Sequence, residues 1–302
     1  MASPAILDLH APSYEAKCQP MTRYWRENQW HDADFLPMSP TDRGLTHGLG
    51  LFETILAIDG SPALLERHIA RMLNSCERLG WGNPLPSNLR SAIVDQLAAA
   101  KLNQGRARVR LAISAGSGPL NNISLGADHS IWITVSRAED PPASVTLGKA
   151  QNQQDPDSPL AGIKSASYAE NLLHLNDARE RGFDDVIRLF RGIRICETST
   201  SNIFAIKDGR VHYPPNESGC LPGITRSLII ELAKKNRIPT SNTLLTESDI
   251  QNCDEVFITS AIRGVVTVSR YESTEYTQST LTAKIRQLWQ EAVEADAASH
   301  KA

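Results

Sequence analysis

The segment Arg137-Ala138-Glu139-Asp140-Pro141-Pro142-Ala143 decides how this chain of 302 residues is divided. A charged stretch closed by two prolines can continue neither a strand nor a helix, so we expect residues 139–143 to be an interdomain linker. A smaller α/β domain with an N-terminal tail would then occupy residues 1–138, and a larger domain would occupy residues 144–302. The predicted fold class is therefore α+β, with two domains.

The composition is that of a globular protein, with 41% hydrophobic and 22% charged residues. A formal net charge of -3 provides no general basic field for nucleic acid or an anionic membrane. The five cysteines form no C-x-x-C pair, and no stretch approaches the length of a spanning helix. We therefore expect a cytoplasmic protein that binds neither nucleic acid nor a membrane. The eight histidines lack H-x-x-x-H and H-E-x-x-H spacing, so no metal site is predicted.

Apolar spacing predicts helices and strands on both sides of the linker. Upstream, strands are expected at residues 51–58, 63–65, 107–113 and 129–136, and helices at 66–79 and 89–102. Downstream, helices are expected at 165–181, 228–235 and 281–298, and strands at 144–150, 186–190, 193–196, 202–207, 211–213, 255–259 and 265–268.

Lys164 is the first candidate for a chemical role. It lies in Ala161-Gly162-Ile163-Lys164-Ser165, which we interpret as a strand end followed by a helix start. An exposed surface lysine is the more common alternative. At a helix N-terminus among apolar neighbours, however, desolvation and the helix dipole would both lower the lysine pKa. That favours the neutral amine that a Schiff base requires.

Glu197 is a second candidate, because a run of small polar residues follows it in Glu197-Thr198-Ser199-Thr200-Ser201. Such a run is commonly a solvated turn. It would also let a flat ligand approach the carboxylate closely. The segment alone leaves both interpretations open.

Three further features could bind an anion or form ordinary turns. Residues 219–226 precede a helix, whose free N–H groups could hold a phosphate, although an ordinary turn with an N-cap at Thr225 or Ser227 fits the spacing better. The alternating Arg106, Arg108 and Arg110 share one strand face, which is either a solvated edge or an anion-binding wall. Residues 115–118 lack a dinucleotide fingerprint and are predicted to be a hairpin turn.

Five motifs follow one another in order from about Trp30 onward, and together they resemble the class IV aminotransferase family, the fold-type IV enzymes that use pyridoxal 5'-phosphate (PLP). The motifs are Asp42-Arg43-Gly44 with Gly50-Leu51-Phe52-Glu53-Thr54; Glu66-Arg67-His68-Ile69-Ala70-Arg71-Met72; Gly162-Ile163-Lys164; Glu197 with Asn202-Ile203-Phe204; and Leu221-Pro222-Gly223-Ile224-Thr225-Arg226.

The resemblance implies a fold like that of D-amino-acid aminotransferase, with PLP in the larger domain. It implies that Lys164 binds PLP covalently and transfers the proton, and that Glu197 binds the pyridine nitrogen. It also implies a small-molecule amino substrate and a homodimer. The residues that would hold the phosphate are Arg71, the backbone of Ile224 and Thr225, Ser260 and Ala261.

Several details are most similar to aminodeoxychorismate lyases, although Ser167 replaces an asparagine that is frequent in them. The similarities are Leu160 to Lys164, Glu170, Phe52 and Ser260-Ala261-Ile262. Two features of transaminases are missing. The branched-chain enzymes have a tyrosine five residues after the lysine, whereas Tyr168 lies four residues after Lys164. The D-amino-acid enzymes have an Arg-x-His pair where this chain has Ser117-Gly118-Pro119-Leu120.

The leading interpretation is therefore an enzyme of folate biosynthesis, a lyase that releases pyruvate and 4-aminobenzoate from 4-amino-4-deoxychorismate. Phe52, Arg108 and Arg110 would contact this substrate, with the arginines facing its two carboxylates. The alternative is a transaminase for D-amino acids, branched-chain amino acids or (R)-amines. A second alternative is a PLP-binding protein without catalytic activity.

Overall fold

The computed structural model describes residues 21–26, 28–33, 35–277 and 280–300. These residues form two β-sheets with helices packed against them, so the predicted α+β class is confirmed. The expected N-terminal tail lies mostly outside the described residues. The boundary at residues 139–143 stays a prediction.

The first sheet has six antiparallel strands in the order β2-β1-β6-β5-β3-β4. The strands are β1 (Met21–Arg26), β2 (Gln29–Ala33), β3 (Gly50–Ile58), β4 (Ser61–Pro62), β5 (Arg106–Ser114) and β6 (Ser130–Arg137). The accompanying helices are α1 (Arg43–His47), α2 (Leu65–Arg78) and α3 (Leu89–Ala99).

The second sheet has nine strands in the order β12-β11-β10-β13-β14-β7-β8-β9, with β15 beside β14. The strands are β7 (Ser144–Gln153), β8 (Asp185–Phe190), β9 (Arg194–Thr198), β10 (Asn202–Lys207), β11 (Arg210–Tyr213), β12 (Thr240–Asn242), β13 (Glu255–Ser260), β14 (Gly264–Tyr271) and β15 (Thr274–Glu275). The helices are α4 (Ala169–Glu180), α5 (Ile224–Lys235), α6 (Glu247–Gln251) and α7 (Thr280–Ser299), with a 3-10 turn at Asn216–Ser218. Within the described chain, no helix is long and apolar enough to cross a membrane.

Strand β3 contributes to the hydrophobic cores of both sheets, because successive side chains on a strand point to opposite faces. Leu51 and Ile55 pack in the first core with Met72 of α2. Leu56, on the other face, packs in the second core with Trp289 of α7. The face of β3 and β5 that carries Leu56 is therefore turned toward the second sheet.

The segment around Lys164 differs from the prediction, because α4 begins at Ala169 and Lys164 lies in an irregular segment. That segment pairs with β3: the N–H of Phe52 donates to the Lys164 carbonyl over 3.0 Å, and the N–H of Ala166 donates to the Gly50 carbonyl over 2.8 Å. The prediction that Lys164 follows a strand and starts a helix is therefore wrong. Pairing with a strand of the first sheet takes the place of the expected first helical turn.

Two shorter elements also differ from their predicted positions. The strand expected at residues 63–65 is β4 at Ser61–Pro62, because Leu64 has a left-handed φ of 55° and α2 starts directly after it. The hairpin turn expected at residues 115–118 begins a long connection that runs to β6. The buried Arg43 guanidinium holds this connection by donating hydrogen bonds to four of its carbonyls, those of Ala115, Gly116, Asn122 and Ser124.

Candidate active site

Lys164 lies where the two sheets meet, beside the start of β3. Gly162, two residues before it, has a φ of 73°, a left-handed conformation that glycine adopts without strain. The Nζ of Lys164 lies 4.5 Å from the centre of the Phe52 ring and 5.6 Å from that of Tyr168. These two rings meet edge to face, 5.3 Å apart. The Lys164 amine therefore lies against both aromatic rings.

The amine of Lys164 has an unusual environment, since none of the described carboxylates forms an ion pair with it. Burial lowers its pKa to about 8, and the nearby Arg71 guanidinium acts in the same direction. The expected pKa depression is thus present. Desolvation is its main cause, with the Arg71 charge second, and the expected helix dipole does not contribute because no helix begins at this residue.

Glu197 lies on β9, partly buried, with its carboxylate on a scaffold of neutral donors. The backbone N–H of Leu221 lies 3.2 Å from both carboxylate oxygens, and Asn202 Nδ2 donates to Oε2 over 3.1 Å. Burial raises the pKa of Glu197 to about 7, against the opposing effects of the Leu221 N–H and Arg188. Such a carboxyl group gains most from a cationic ligand that restores its charge.

The turn after Glu197 is organised by Asp185, a buried carboxylate at the start of β8. It accepts hydrogen bonds from the hydroxyls of Thr198, Ser199 and Thr200 and from the N–H of Ser199. Asn171 of α4 donates to the Ser199 carbonyl over 2.6 Å. The small polar run is therefore a packed turn, and not the solvated turn that was the alternative.

Arg71 on α2 reaches the loop that precedes α5. Its Nη1 donates to the Pro222 carbonyl over 3.1 Å, and its Nε donates to Glu53 Oε1 over 2.8 Å. His68 Nδ1 lies 2.7 Å from the other oxygen of Glu53, whose side chain is 1% exposed. Although burial opposes it, Arg71 and His68 lower the pKa of Glu53 to about 2. Glu53 thus fixes the direction of Arg71.

No side chain caps the N-terminus of α5. Its N-cap is Gly223 and not the expected Thr225 or Ser227, and the first helical residue is Ile224. A Cβ added at Gly223 would lie 1.9 Å from Asn202 Oδ1, so only glycine fits there. Thr225 Oγ1 donates to the Ser260 carbonyl over 3.2 Å, and Ala261 follows Ser260. The predicted phosphate segments are therefore neighbours.

Of the three arginines on one face of β5, Arg110 is the one beside Lys164. Its guanidinium carbon lies 3.9 Å above the Phe52 ring centre, on the same ring that Lys164 contacts. Arg108 and Arg110 are both exposed, whereas Arg106 donates to the Ile262 carbonyl of the second sheet's β13–β14 turn. Because β5 pairs with β3 on one side and β6 on the other, the arginine face does not belong to an edge strand.

Some residues at the site carried no predicted role. Glu53 and Asn202 belong to motifs of the resemblance, which is the signal that could have pointed to them. Asp185 and Arg263 gave no signal, because their hydrogen-bond partners in the turn after Glu197 are distant in sequence. Within the ranges that the structure describes, no three His, Cys, Asp or Glu side chains lie together as a metal site.

Comparison with known proteins identifies the family. The model of the family described as amino-transferase class IV matches residues 50–271. The chain belongs to this family. The match includes Lys164, Glu197 and Arg71, and it confirms the predicted resemblance.

Three relatives of this class IV protein carry different names. A putative branched-chain-amino-acid aminotransferase from Methanocaldococcus jannaschii is 31% identical over 238 residues, covering 76% of this chain and 81% of that protein. D-alanine aminotransferase from Listeria innocua is 28% identical over 239 residues, covering 78% and 82%. Aminodeoxychorismate lyase from Bacillus subtilis is 28% identical over 252 residues, covering 79% and 83%. The family is enzymatic, but its members differ in reaction.

Solved structures share the fold. A fold IV transaminase from Curtobacterium pusillum superposes with a TM-score of 0.79 at 26% identity, covering 90% of this chain and 99% of that one. The PLP-bound form of a hypothetical aminotransferase from Mycobacterium tuberculosis gives a TM-score of 0.81 at 20% identity, covering 91% and 99%. The fold-type IV architecture and the family's cofactor, PLP, are thereby confirmed.

The residues present fit PLP. The Lys164 amine lacks an ion-pair partner among the described residues, the Glu197 carboxyl has a raised pKa and neutral donors only, and the first turn of α5 has no side-chain cap. These three features match an aldehyde, a pyridine nitrogen and a phosphate, respectively.

Proposed function

We propose that this class IV enzyme is a lyase that converts 4-amino-4-deoxychorismate into 4-aminobenzoate and pyruvate. The observation that carries the proposal is the position of Arg110 over the Phe52 ring, beside Lys164 and without an acidic partner within 4 Å in the described chain. Arg108 lies two residues away on the same strand face. Two such cations suit a substrate with two carboxylates, because charge-assisted hydrogen bonds from guanidinium groups are strong.

In this proposal PLP is held by Lys164, by Glu197 and by a phosphate site. That site consists of Arg71, the N–H groups of Ile224 and Thr225, and Ser260 with Ala261. When bound, PLP withdraws electrons from the carbon that carries the substrate amine, which makes its proton easier to remove.

The substrate amine would replace Lys164 on the cofactor, and the released Lys164 amine would then act as the base that removes this ring proton. A lysine with a pKa of about 8 has a substantial neutral fraction near neutral pH, whereas an ordinary lysine has almost none. The C–O bond to the three-carbon side chain breaks, and the side chain leaves as enolpyruvate, which takes up a proton at carbon to become pyruvate. The ring becomes aromatic, so no water, oxidant or reductant is needed.

A transaminase is the second candidate, and the names of two relatives support it, a D-alanine aminotransferase and a putative branched-chain-amino-acid aminotransferase. Both reactions use the same cofactor residues. They differ in the step after proton removal, because a lyase expels a leaving group whereas a transaminase passes the amino group to a keto acid.

The test is a product assay on the PLP-loaded protein. 4-Amino-4-deoxychorismate is supplied, and 4-aminobenzoate and pyruvate are measured together. In parallel, D-alanine, L-leucine and (R)-1-phenylethylamine are supplied with pyruvate or 2-oxoglutarate as acceptor. Lys164→Ala serves as the inactive control.

A lyase forms the two products in equal amounts, needs no keto acid and transfers little amine from the other donors. Rapid amine transfer without formation of 4-aminobenzoate would contradict the proposal and support the transaminase. Absence of both activities in a protein that retains PLP would support the non-catalytic alternative.

A further inference from the structure

Arg188 is a buried arginine on β8, the strand that pairs with the one carrying Glu197. The two residues lie directly opposite each other in the antiparallel pair of β8 and β9. Opposed residues of such a pair point to the same face of the sheet, with their Cβ atoms about 4.5–5.5 Å apart. Arg188 is only 4% exposed. Its positive charge therefore lies on the Glu197 face of the sheet and is largely shielded from water.

The charge of Arg188 is only partly neutralised. Its acidic partner is Glu170 of α4, whose Oε1 lies 3.1 Å from Nη2 of Arg188. The Glu170 side chain is 60% exposed, so water screens this ion pair. The buried Nε of Arg188 has no hydrogen-bond partner in the described chain. Arg188 is thus a buried cation whose counter-charge lies mostly in solvent.

Arg188 acts on Glu197 without occupying its oxygens. Among the described residues the two side chains form no ion pair within 4 Å, and the Glu197 oxygens accept hydrogen bonds from Leu221 and Asn202 instead. Burial raises the pKa of Glu197 to about 7, and among the charged groups Arg188 opposes this rise most. A positive charge near a buried carboxylate favours its ionised form. Both oxygens of Glu197 stay free of a competing cation.

The other charged groups around Glu197 do not replace Arg188. Lys164, and Arg226 near the start of α5, lower the pKa of Glu197 as well, but less than Arg188 does. The carboxylate of Asp185, also on β8, is engaged by the hydroxyls of the turn after Glu197. Arg188 is therefore the main cationic influence on Glu197.

The remaining titratable groups nearby are neutral at neutral pH. Burial raises the pKa of Tyr168 to about 12 and that of Cys220 to about 11, and it raises the pKa of Cys196 well above its ordinary value. Burial and the Arg188 charge lower the pKa of His174, whose Nε2 lies 3.6 Å from Glu170. Glu170 is thus the acid of α4 that counteracts Arg188.

We propose that Arg188 acts through Glu197 as a positioning residue, by holding that carboxylate in the charged form that binds a pyridine nitrogen. Glu170 partly neutralises Arg188 and so limits this effect. An exposed acid, a buried base and a buried acid would then form one electrostatic series from α4 through β8 to β9. This inference rests on the proposed role of Glu197 toward PLP, and not on the lyase reaction.

The direct test is the titration of Glu197 in the cofactor-free, full-length protein. Glutamate labelled with carbon-13 at the side-chain carboxyl carbon is incorporated, and NMR spectra are recorded across neutral pH. Glu197→Gln identifies the signal of Glu197 by its loss. The test variants are Arg188→Met, Arg188→Lys and Glu170→Gln. The control is Glu180→Gln, because Glu180 is an exposed acid of the same helix and bonds only to Asn176.

We expect Arg188→Met to raise the titration midpoint of Glu197 by about one pH unit, a tenfold change in its protonation equilibrium. Arg188→Lys keeps the charge and should stay closer to the wild type. Glu170→Gln leaves Arg188 without its counter-charge and should lower the midpoint. Glu180→Gln should leave it unchanged. The opposite directions follow from the opposite signs of the two removed charges, whereas a general loosening of the site would move both variants in the same direction.

An unchanged midpoint in Arg188→Met or in Glu170→Gln would overturn the proposal, and so would shifts of both variants in the same direction. If Arg188→Met does not fold, Glu170→Gln decides the question against Glu180→Gln, because both substitutions are on the exposed side of α4. Failure of the proposed role of Glu197 would appear separately, as wild-type turnover in Glu197→Gln, and would not alter these midpoints.

Discussion

Lys164 and Glu197 have pKa values shifted toward neutrality from opposite directions, to about 8 and about 7. Burial is the main cause in both, because it disfavours the charged form of an amine and of a carboxylate alike. A pair of ionisable groups brought near neutrality in one site is typical of catalysis. Each group leads to a prediction.

The pKa of Lys164 predicts how covalent capture of PLP depends on pH. Only the neutral amine attacks an aldehyde, so the rate of capture by the cofactor-free protein should rise with pH around a midpoint near 8, well below the midpoint for an ordinary lysine. Borohydride reduction at a series of pH values, followed by mass spectrometry, measures this rate and locates the label. A label on another lysine, or one retained in Lys164→Ala, would contradict the assignment.

Glu197→Gln should retain PLP but turn over slowly. A neutral amide still occupies the position beside Asn202 and Leu221, but it cannot stabilise a positive pyridine ring. A preorganised charge interaction of this kind contributes about 2–4 kcal/mol, so kcat should fall roughly 30- to 1,000-fold. PLP content and kcat are measured together. The exposed Glu275→Gln is the control, and a Glu197→Gln protein with wild-type kcat would exclude the role.

At the scale of elements, the cofactor site depends on how α2 packs against β3. Arg71 projects from α2, and its direction is fixed by Glu53 of β3 and by the Pro222 carbonyl before α5. The buried Glu53 is in turn held by His68, one turn earlier on α2. Arg71, the proposed phosphate ligand, therefore connects the first sheet to the loop that precedes α5 in the second.

Arg71→Ala should specifically weaken the binding of the phosphate group. We expect at least a tenfold loss of PLP affinity and little change for pyridoxal, which lacks the phosphate, because one charge-assisted contact is removed. Equilibrium dialysis of the cofactor-free protein measures both affinities. Arg67→Ala, one turn away on the same helix and paired with Glu231, should bind PLP normally. An equal loss for PLP and pyridoxal would indicate a collapsed site instead of a lost phosphate ligand.

The elements that could be predicted from sequence are those whose pattern is local. Residues 51–58 have strand composition and end at Asp59-Gly60, and the helix from 66 shows regular apolar spacing, so the predicted β3 and α2 lie close to their observed positions. The prediction at Lys164 is wrong because the partner of this segment is β3, far away along the chain. Helix propensity around residues 165–168 is overridden by that pairing.

The same distinction between local patterns and contacts distant in sequence applies to the residues of the candidate site. Lys164, Glu197 and Arg71 could be proposed for the site because they stand in ordered motifs of a known family, and their roles stay predictions. The hydrogen bonds that orient them are not predictable, since Glu53, Asp185 and Arg263 act through partners that only the fold brings together. A single carboxylate in a strand pattern has the same local signature whether it is solvated or buried.

At the scale of the whole molecule, the connection between β5 and β6 exposes apolar side chains while hydrogen bonds hold its backbone in place. Leu120 is 79% exposed and Ile123 is 53% exposed in the connection between β5 and β6. Its backbone is anchored by the buried Arg43, and Trp81 Nε1 donates to the Ile123 carbonyl over 2.7 Å. Firmly held, exposed apolar side chains are typical of protein contact surfaces.

We therefore expect a homodimer in which this connection is buried against the second copy. Light scattering should give twice the chain mass of 33.1 kDa at micromolar concentration. Leu120→Asp combined with Ile123→Asp should yield a monomer, because buried charges without partners oppose association. Ile193→Asp, at another exposed apolar residue, is the control and should stay dimeric. A monomeric wild type would exclude the dimer, and a dimer that survives the double substitution would place its interface elsewhere on the surface.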